Sequence, residues 1–152
     1  MIPGSREESA AETAKNVFVI DDDQPLCRSV GRLLRSVGLK PYLFSTVKEF
    51  LGFSRPDGAS CLILDVNLSG RSGLDLQSEL AAANVRLPII FMTGDDDLPM
   101  TAKAIQGGAV EFLTKPFKDQ DLLDAINLGL ARDRSRQDQL KTTENPSPRS
   151  VA

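Results

Sequence analysis

Five short apolar runs, each followed by a stretch with helical spacing, constrain this chain more than any other feature. Val17-Phe18-Val19-Ile20, Tyr42-Leu43-Phe44, Cys61-Leu62-Ile63-Leu64, Ile89-Ile90-Phe91-Met92 and Val110 to Leu113 read as strands. Most of them are continuous rather than alternating, as strands buried on both faces must be. Between them, Leu26, Val30, Leu33, Leu34 and Val37 fall at helix spacing, with Asp23 placed to cap the start and Gly38 to end it. Thr46 to Phe53 predicts a short helix, closed by the turn Arg55-Pro56-Asp57-Gly58. Gly73 to Ala83, Met100 to Gln106 and a last helix capped at Asp119 complete the series. Strands alternating with helices imply an α/β fold, a parallel sheet with helices on both faces. Met1 to about Asn16 and the stretch from about Arg136 to Ala152 lack periodicity and read as disordered tails.

A patterned centre over residues 17–132 suits one domain in a chain of 152 residues. The expected division is a tail over 1–16, the domain over 17–132, and a helix extension with a disordered tail over 133–152, with no output domain. A net charge of −3 gives no global attraction to nucleic acid or anionic membrane. No run approaches the ~20 apolar residues that span a bilayer. The N-terminus lacks the apolar core of a signal peptide, so a cytoplasmic location is expected by elimination. Cys27 and Cys61 fit neither a redox motif nor a zinc site. The chain has no histidine. That excludes a Ser-His-Asp triad, a His-ligated zinc site and a phosphohistidine carrier.

In an open α/β sheet, the site lies beyond the carboxyl ends of the strands. Strand one is followed by Asp21, Asp22 and Asp23, strand three by Asp65, strand four by Thr93, and strand five by Thr114 and Lys115. On one sheet edge these residues converge. Asp65 can act as a nucleophile toward phosphorus. Asp21, Asp22 and Asp65 crowd negative charge, which calls for a cation. Mg²⁺ takes one or two carboxylates, waters and phosphate oxygens. Lys115 supplies a second positive charge and Thr93 a hydrogen bond to a phosphoryl oxygen.

Each feature alone has a plainer reading. The acidic triplet could only stabilise a helix N-terminus, at roughly 0.3–1 kcal/mol each. Asp65 could start a turn, Lys115 could be a solvated charge, and Phe112 could be core. The plainer reading has to hold independently at four strand ends.

The segments VFVIDDDQP, LILDVNLSGRSGLDL, IFMTGDDDLPM, GGAVEFLTKPF and LLDAI resemble response-regulator receiver domains, with the FixJ branch nearest, over about Val17 to Arg132. The resemblance implies a flavodoxin-like, CheY-like doubly wound sheet of order 2-1-3-4-5. It makes Asp65 the phosphorylated aspartate in a two-component system. Asp21, Asp22 and Asp65, with the backbone carbonyl of Asn67, become the Mg²⁺ site, Asp22 as the more direct ligand. Thr93 and Lys115 stabilise the phosphoryl group, and Thr93 and Phe112 form the switch. It also implies a cis Lys115–Pro116 bond, a sensor histidine kinase as donor, and a changed surface on the fourth helix, fifth strand and fifth helix. A phosphorylation-dependent homodimer is a further expectation of the same kind. Ser69 departs from the proline found in many relatives, and Asp95 to Asp97 make the loop after Thr93 unusually acidic.

Two other classes compete. Haloacid-dehalogenase phosphatases also form an aspartyl phosphate on a parallel sheet, and Asp21-Asp22-Asp23 imitates their Asp-x-Asp, with Asp21 as nucleophile. Gln24-Pro25 departs from that pattern, and Asp65 would be left without a role. A degenerate receiver used only for docking is the other. Residues after Arg132 are too few and too polar for a DNA-reading domain, so no direct nucleic-acid or membrane contact is expected. The chain is expected to be a stand-alone receiver or the receiver part of a FixJ-like transcription regulator.

Overall fold

A computed structural model describes residues 14–66, 73–94 and 108–144. Its elements, in chain order, are β1 (Lys15–Ile20), α1 (Gln24–Ser36), β2 (Lys40–Phe44), α2 (Val47–Leu51), β3 (Ala59–Asp65), α3 (Gly73–Ala82), β4 (Ile89–Thr93), β5 (Glu111–Thr114) and α4 (Asp119–Glu144). The five strands form one parallel sheet in the order β2-β1-β3-β4-β5. The doubly wound α/β sheet read from the sequence is therefore the fold observed.

Residue parity sorts the core into two layers, because successive strand side chains point to opposite faces. Val17, Val19, Cys61, Ile63, Ile90 and Met92 meet Cys27, Val30 and Leu34 of α1 and Leu122, Ala125, Ile126 and Leu130 of α4. Phe18, Ile20, Leu62, Leu64 and Phe91 meet Val47 and Phe50 of α2 and Leu76 and Leu80 of α3. Both faces of β3 are covered, and every residue from Ala59 to Asp65 is buried. Gly129 of α4 lies close against the sheet. A Cβ there would lie 3.2 Å from the Cβ of Cys61.

Local signals start and stop α1 and α2 as expected, whereas Asp119, expected to cap the last helix, is the first residue of α4, and Leu122 N–H donates to Lys118 O. The Asp23 carboxylate accepts from Leu26 N–H at 3.1 Å and caps α1. Gly38 follows α1 at φ +84°, a conformation that costs glycine little. Thr46 caps α2 by accepting from Glu49 N–H at 3.1 Å, while Glu49 accepts from Ser45 N–H at 3.2 Å.

Two expectations need correction. Lys15 and Asn16, placed in the N-terminal tail, belong to β1 and pair with β3. Asn16 is buried and donates to Asp57 O at 3.0 Å, which makes a polar residue a strand residue. The stretch from about Arg136, read as disordered, continues α4 to Glu144. The predicted helix from Met100 to Gln106 lies outside the described residues. Among those described, no helix is long and apolar enough to cross a membrane.

Candidate functional site

Parallel pairing puts the carboxyl ends of all five strands on one edge. Asp21 directly follows β1, Asp65 is the last residue of β3, Thr93 the last of β4, and Lys115 directly follows β5. Burial grades the set. Asp21 is 0% exposed, Thr93 2% and Asp65 7%, whereas Asp22 faces solvent.

Asp21 is held from three sides. Its Oδ1 accepts from Asp23 N–H at 2.9 Å and its Oδ2 accepts from Lys115 Nζ at 3.0 Å. Its backbone carbonyl accepts from the Cys27 thiol at 3.3 Å. Lys115 Nζ also lies 3.7 Å from Asp65 Oδ2, so one ammonium bridges the acids that follow β1 and β3. The lysine is positioned by its own backbone, whose N–H donates to Thr93 O at 2.6 Å. Lys115–Pro116 is cis.

The electrostatics follow from this geometry. Burial works against the Lys115 charge, but the hydrogen bond to Asp21 and the charges of Asp21, Asp65 and Asp23 outweigh it, and the ammonium is held above its usual range. The Cys27 thiol is pushed up to about 11, first by burial and then by the charges of Asp21 and Asp23. It is therefore a neutral donor beneath Asp21 rather than a nucleophile.

One carboxylate oxygen each from Asp21, Asp22 and Asp65 lie within 4.8 Å of one another. Opposite oxygens around an octahedral Mg²⁺ are about 4.2 Å apart, so this spacing suits such an ion. All three ligand atoms are hard oxygens, which fits Mg²⁺ and not a soft metal. Three carboxylates against one ammonium also leave an excess of negative charge that a divalent cation would offset.

Thr93 and Phe112 share a sheet face. Thr93 pairs with Thr114 and Phe91 with Phe112 on adjacent strands. Phe112 is partly buried and packs against the layer that α2 and α3 cover, its ring centroid 6.1 Å from that of Phe91. Asn67 lies outside the described residues. The thiol contact of Cys27 was not foreseen. Its only sequence signal is a small polarisable residue on the inward stripe of α1, one turn after the acids.

Comparison with known proteins agrees with the fold. Residues 17–127 match the family described as the response regulator receiver domain. The chain is 49% identical over 142 residues to nodulation protein W of Bradyrhizobium diazoefficiens, covering 93% of this chain and 63% of that protein. It is 36% identical over 128 residues to the transcriptional regulatory protein FixJ of Azorhizobium caulinodans, covering 83% of this chain and 61% of the relative. Among solved structures, the response regulator StyR superposes with a TM-score of 0.79 at 41% identity, covering 88% of this chain and 67% of that one. Both curated relatives are thus longer proteins, of which this chain spans less than two thirds.

Proposed function

The chain belongs to the response regulator receiver domain family, and from that premise we propose that Asp65 is its phosphoacceptor and that Asp21, Asp22 and Asp65 hold Mg²⁺. The family is one of phosphoacceptor modules in two-component signalling, and its receivers take their phosphoryl group from histidine kinases. The single observation that carries the assignment is the bridge from Lys115 to both Asp21 and Asp65, at 3.0 and 3.7 Å.

In this reading an Asp65 carboxylate oxygen forms the new bond to phosphorus while the bond from phosphorus to the kinase imidazole breaks. The imidazole leaves with its electron pair. Mg²⁺, when bound, supplies positive charge to the acidic cluster and to the phosphoryl oxygens. Lys115 is already beside Asp65 and neutralises a further phosphoryl oxygen, so its charge costs no reorganisation at the moment of transfer. Asp21, locked by Asp23 N–H and Lys115, keeps the lysine aimed. Asp22, exposed, is the carboxylate with room to turn toward a cation.

Switching follows from differential contacts. The Thr93 hydroxyl turns to the new dianion, and Phe112, on the same face, fills the space it leaves. The surface of β5 and α4 then changes.

The phosphatase reading, with Asp21 as nucleophile, is not favoured. Both Asp21 oxygens are engaged by the protein and none of its side chain is exposed. The test is labelling with acetyl phosphate and Mg²⁺. Asp65→Asn abolishes the phosphoprotein and EDTA abolishes it in the wild type. Label that survives Asp65→Asn but is lost in Asp21→Asn would restore the phosphatase reading. A wild-type chain that takes up neither label nor beryllofluoride would be a docking module.

A further inference from the structure

The end of β3 away from Asp65 carries a second polar cluster, and nothing in phosphoryl transfer uses it. Asp133 of α4 is 0% exposed. Its Oδ2 accepts from Ser60 N–H at 2.7 Å and from Gln137 Nε2 at 2.8 Å. Its Oδ1 accepts from Arg136 Nη2 at 2.8 Å and Nε at 3.2 Å. Gln137 Nε2 also donates to Gly58 O at 3.0 Å, in the turn that leads into β3. Asn16 of β1 joins the same cluster, donating to Ser60 Oγ at 3.4 Å and to Asp57 O.

The cluster sits where α4 leaves the body of the domain. Among the residues of α4 whose burial is described, Leu130 is the last apolar side chain in the core and Asp133 the last buried residue. Residues 134–144 then continue as helix, about 16 Å long at 1.5 Å per residue. Their sequence, RSRQDQLKTTE, has no apolar stripe to pack, and a helix that short is marginal in water on its own. Its order must come from what it is attached to. A buried carboxylate is costly unless it is paired and fully hydrogen-bonded. Here four donors converge on it, three from α4 itself and one, Ser60 N–H, from β3, while Gln137 also reaches Gly58 O, so the set is complete only when helix and strand meet in this register.

We infer that Asp133, with Ser60, Arg136 and Gln137, is a joint that locks the distal part of α4 to the amino end of β3, making residues 134–144 a rigid arm indexed to the strand that carries Asp65. The inference goes beyond the phosphoacceptor reading and does not depend on it, because the joint lies at the opposite end of the strand.

The test is amide hydrogen exchange on the full chain, read by peptide mass spectrometry. In the wild type, amides over residues 134–140 are slowed relative to an unstructured chain. In Asp133→Asn they exchange at least tenfold faster, while β1 and β3 amides stay protected and acetyl phosphate still labels Asp65. In Gln137→Ala, which removes only a partly buried side chain and keeps the buried charge paired with Arg136, the same amides exchange several-fold faster. Arm amides that exchange freely in the wild type overturn the joint. So does Gln137→Ala at wild-type rates, and that variant decides the matter if Asp133→Asn does not fold.

Discussion

Replacing Asp65 by Asn should stabilise the metal-free domain while abolishing its phosphorylation. The reason is the charge balance on the sheet edge. Asp65 stands within 4.8 Å of ligand oxygens of both Asp21 and Asp22, and 3.7 Å from the Lys115 ammonium. Coulomb's law at an effective dielectric constant of about 20 puts each repulsion near 3.5 kcal/mol and the attraction near 4.5, a net penalty of about 2.5 kcal/mol. With the dielectric constant of water the net falls to about 0.6 kcal/mol. Because the cluster is buried on one side and open on the other, the expected gain from Asp65→Asn is about 1–2 kcal/mol. For a domain of this size that is a rise in Tm of about 3–6 °C. The assay is thermal unfolding by circular dichroism in EDTA and again with Mg²⁺. At ten times its Kd, Mg²⁺ adds about 1.4 kcal/mol to the wild type through mass action. The variant has lost a ligand and gains less, so the gap between the two narrows. If Asp65→Asn melts at or below the wild-type temperature in EDTA, the three acids are not in net repulsion and the argument for a cation at this edge fails.

Three further outcomes follow from other contacts. Thr93→Ala should still be labelled by acetyl phosphate, since it leaves Asp65, Asp21 and Lys115 intact, but the fluorine resonance of a labelled Phe112 should no longer shift on beryllofluoride binding; an unchanged shift would uncouple the two residues. Gly129→Ala should lower the urea midpoint by about 1 kcal/mol in stability. Its new Cβ would meet the Cβ of Cys61 at 3.2 Å on a fully buried strand that cannot retreat, and overpacking of about 1–3 kcal/mol exceeds a helix-propensity gain of about 1; a raised midpoint would show that the layer can yield. Burial, and then the charge of Asp133, push the Cys61 thiol up to about 12 from 9.0. The folded state therefore keeps a proton that the unfolded chain loses, so stability is complete below pH 9 and declines above it, by at most about 1.4 kcal/mol per pH unit for this group. Cys61→Ala should lose that part of the decline, and parallel stability curves for the two proteins between pH 8 and 10.5 would contradict it.

Much of this molecule could be read from its residues because β1, β3 and β4 are buried on both faces. Val17 to Ile20 and Cys61 to Leu64 admit no amphipathic alternative, and Asp21, Asp65 and Thr93 follow such runs directly. Asp23, Thr46 and Gly38 punctuate the helices through local hydrogen bonds or a backbone conformation, so their signals needed no tertiary context. The misread segments are those whose structure depends on distant partners. Asn16 is polar, and its partners at Asp57, Ser60 and Lys40, all distant in sequence, make it part of β1. Residues beyond Arg136 show no apolar periodicity in sequence. One contact that ties their helix to the sheet is a carboxylate 73 residues away in sequence from the amide it accepts.

The division of the core into two layers has a consequence for how a signal would leave the domain. Thr93 and Phe112 sit on the side that faces α2 and α3, while α1 and α4 cover the reverse. The shortest way from these two side chains to α4 leads over β5, an edge strand only four residues long, whose Leu113 packs against the layer that α4 covers. Glu111 and Thr114 on that strand are exposed and take no part in either filled layer, so the sequence can vary there without cost to the packing.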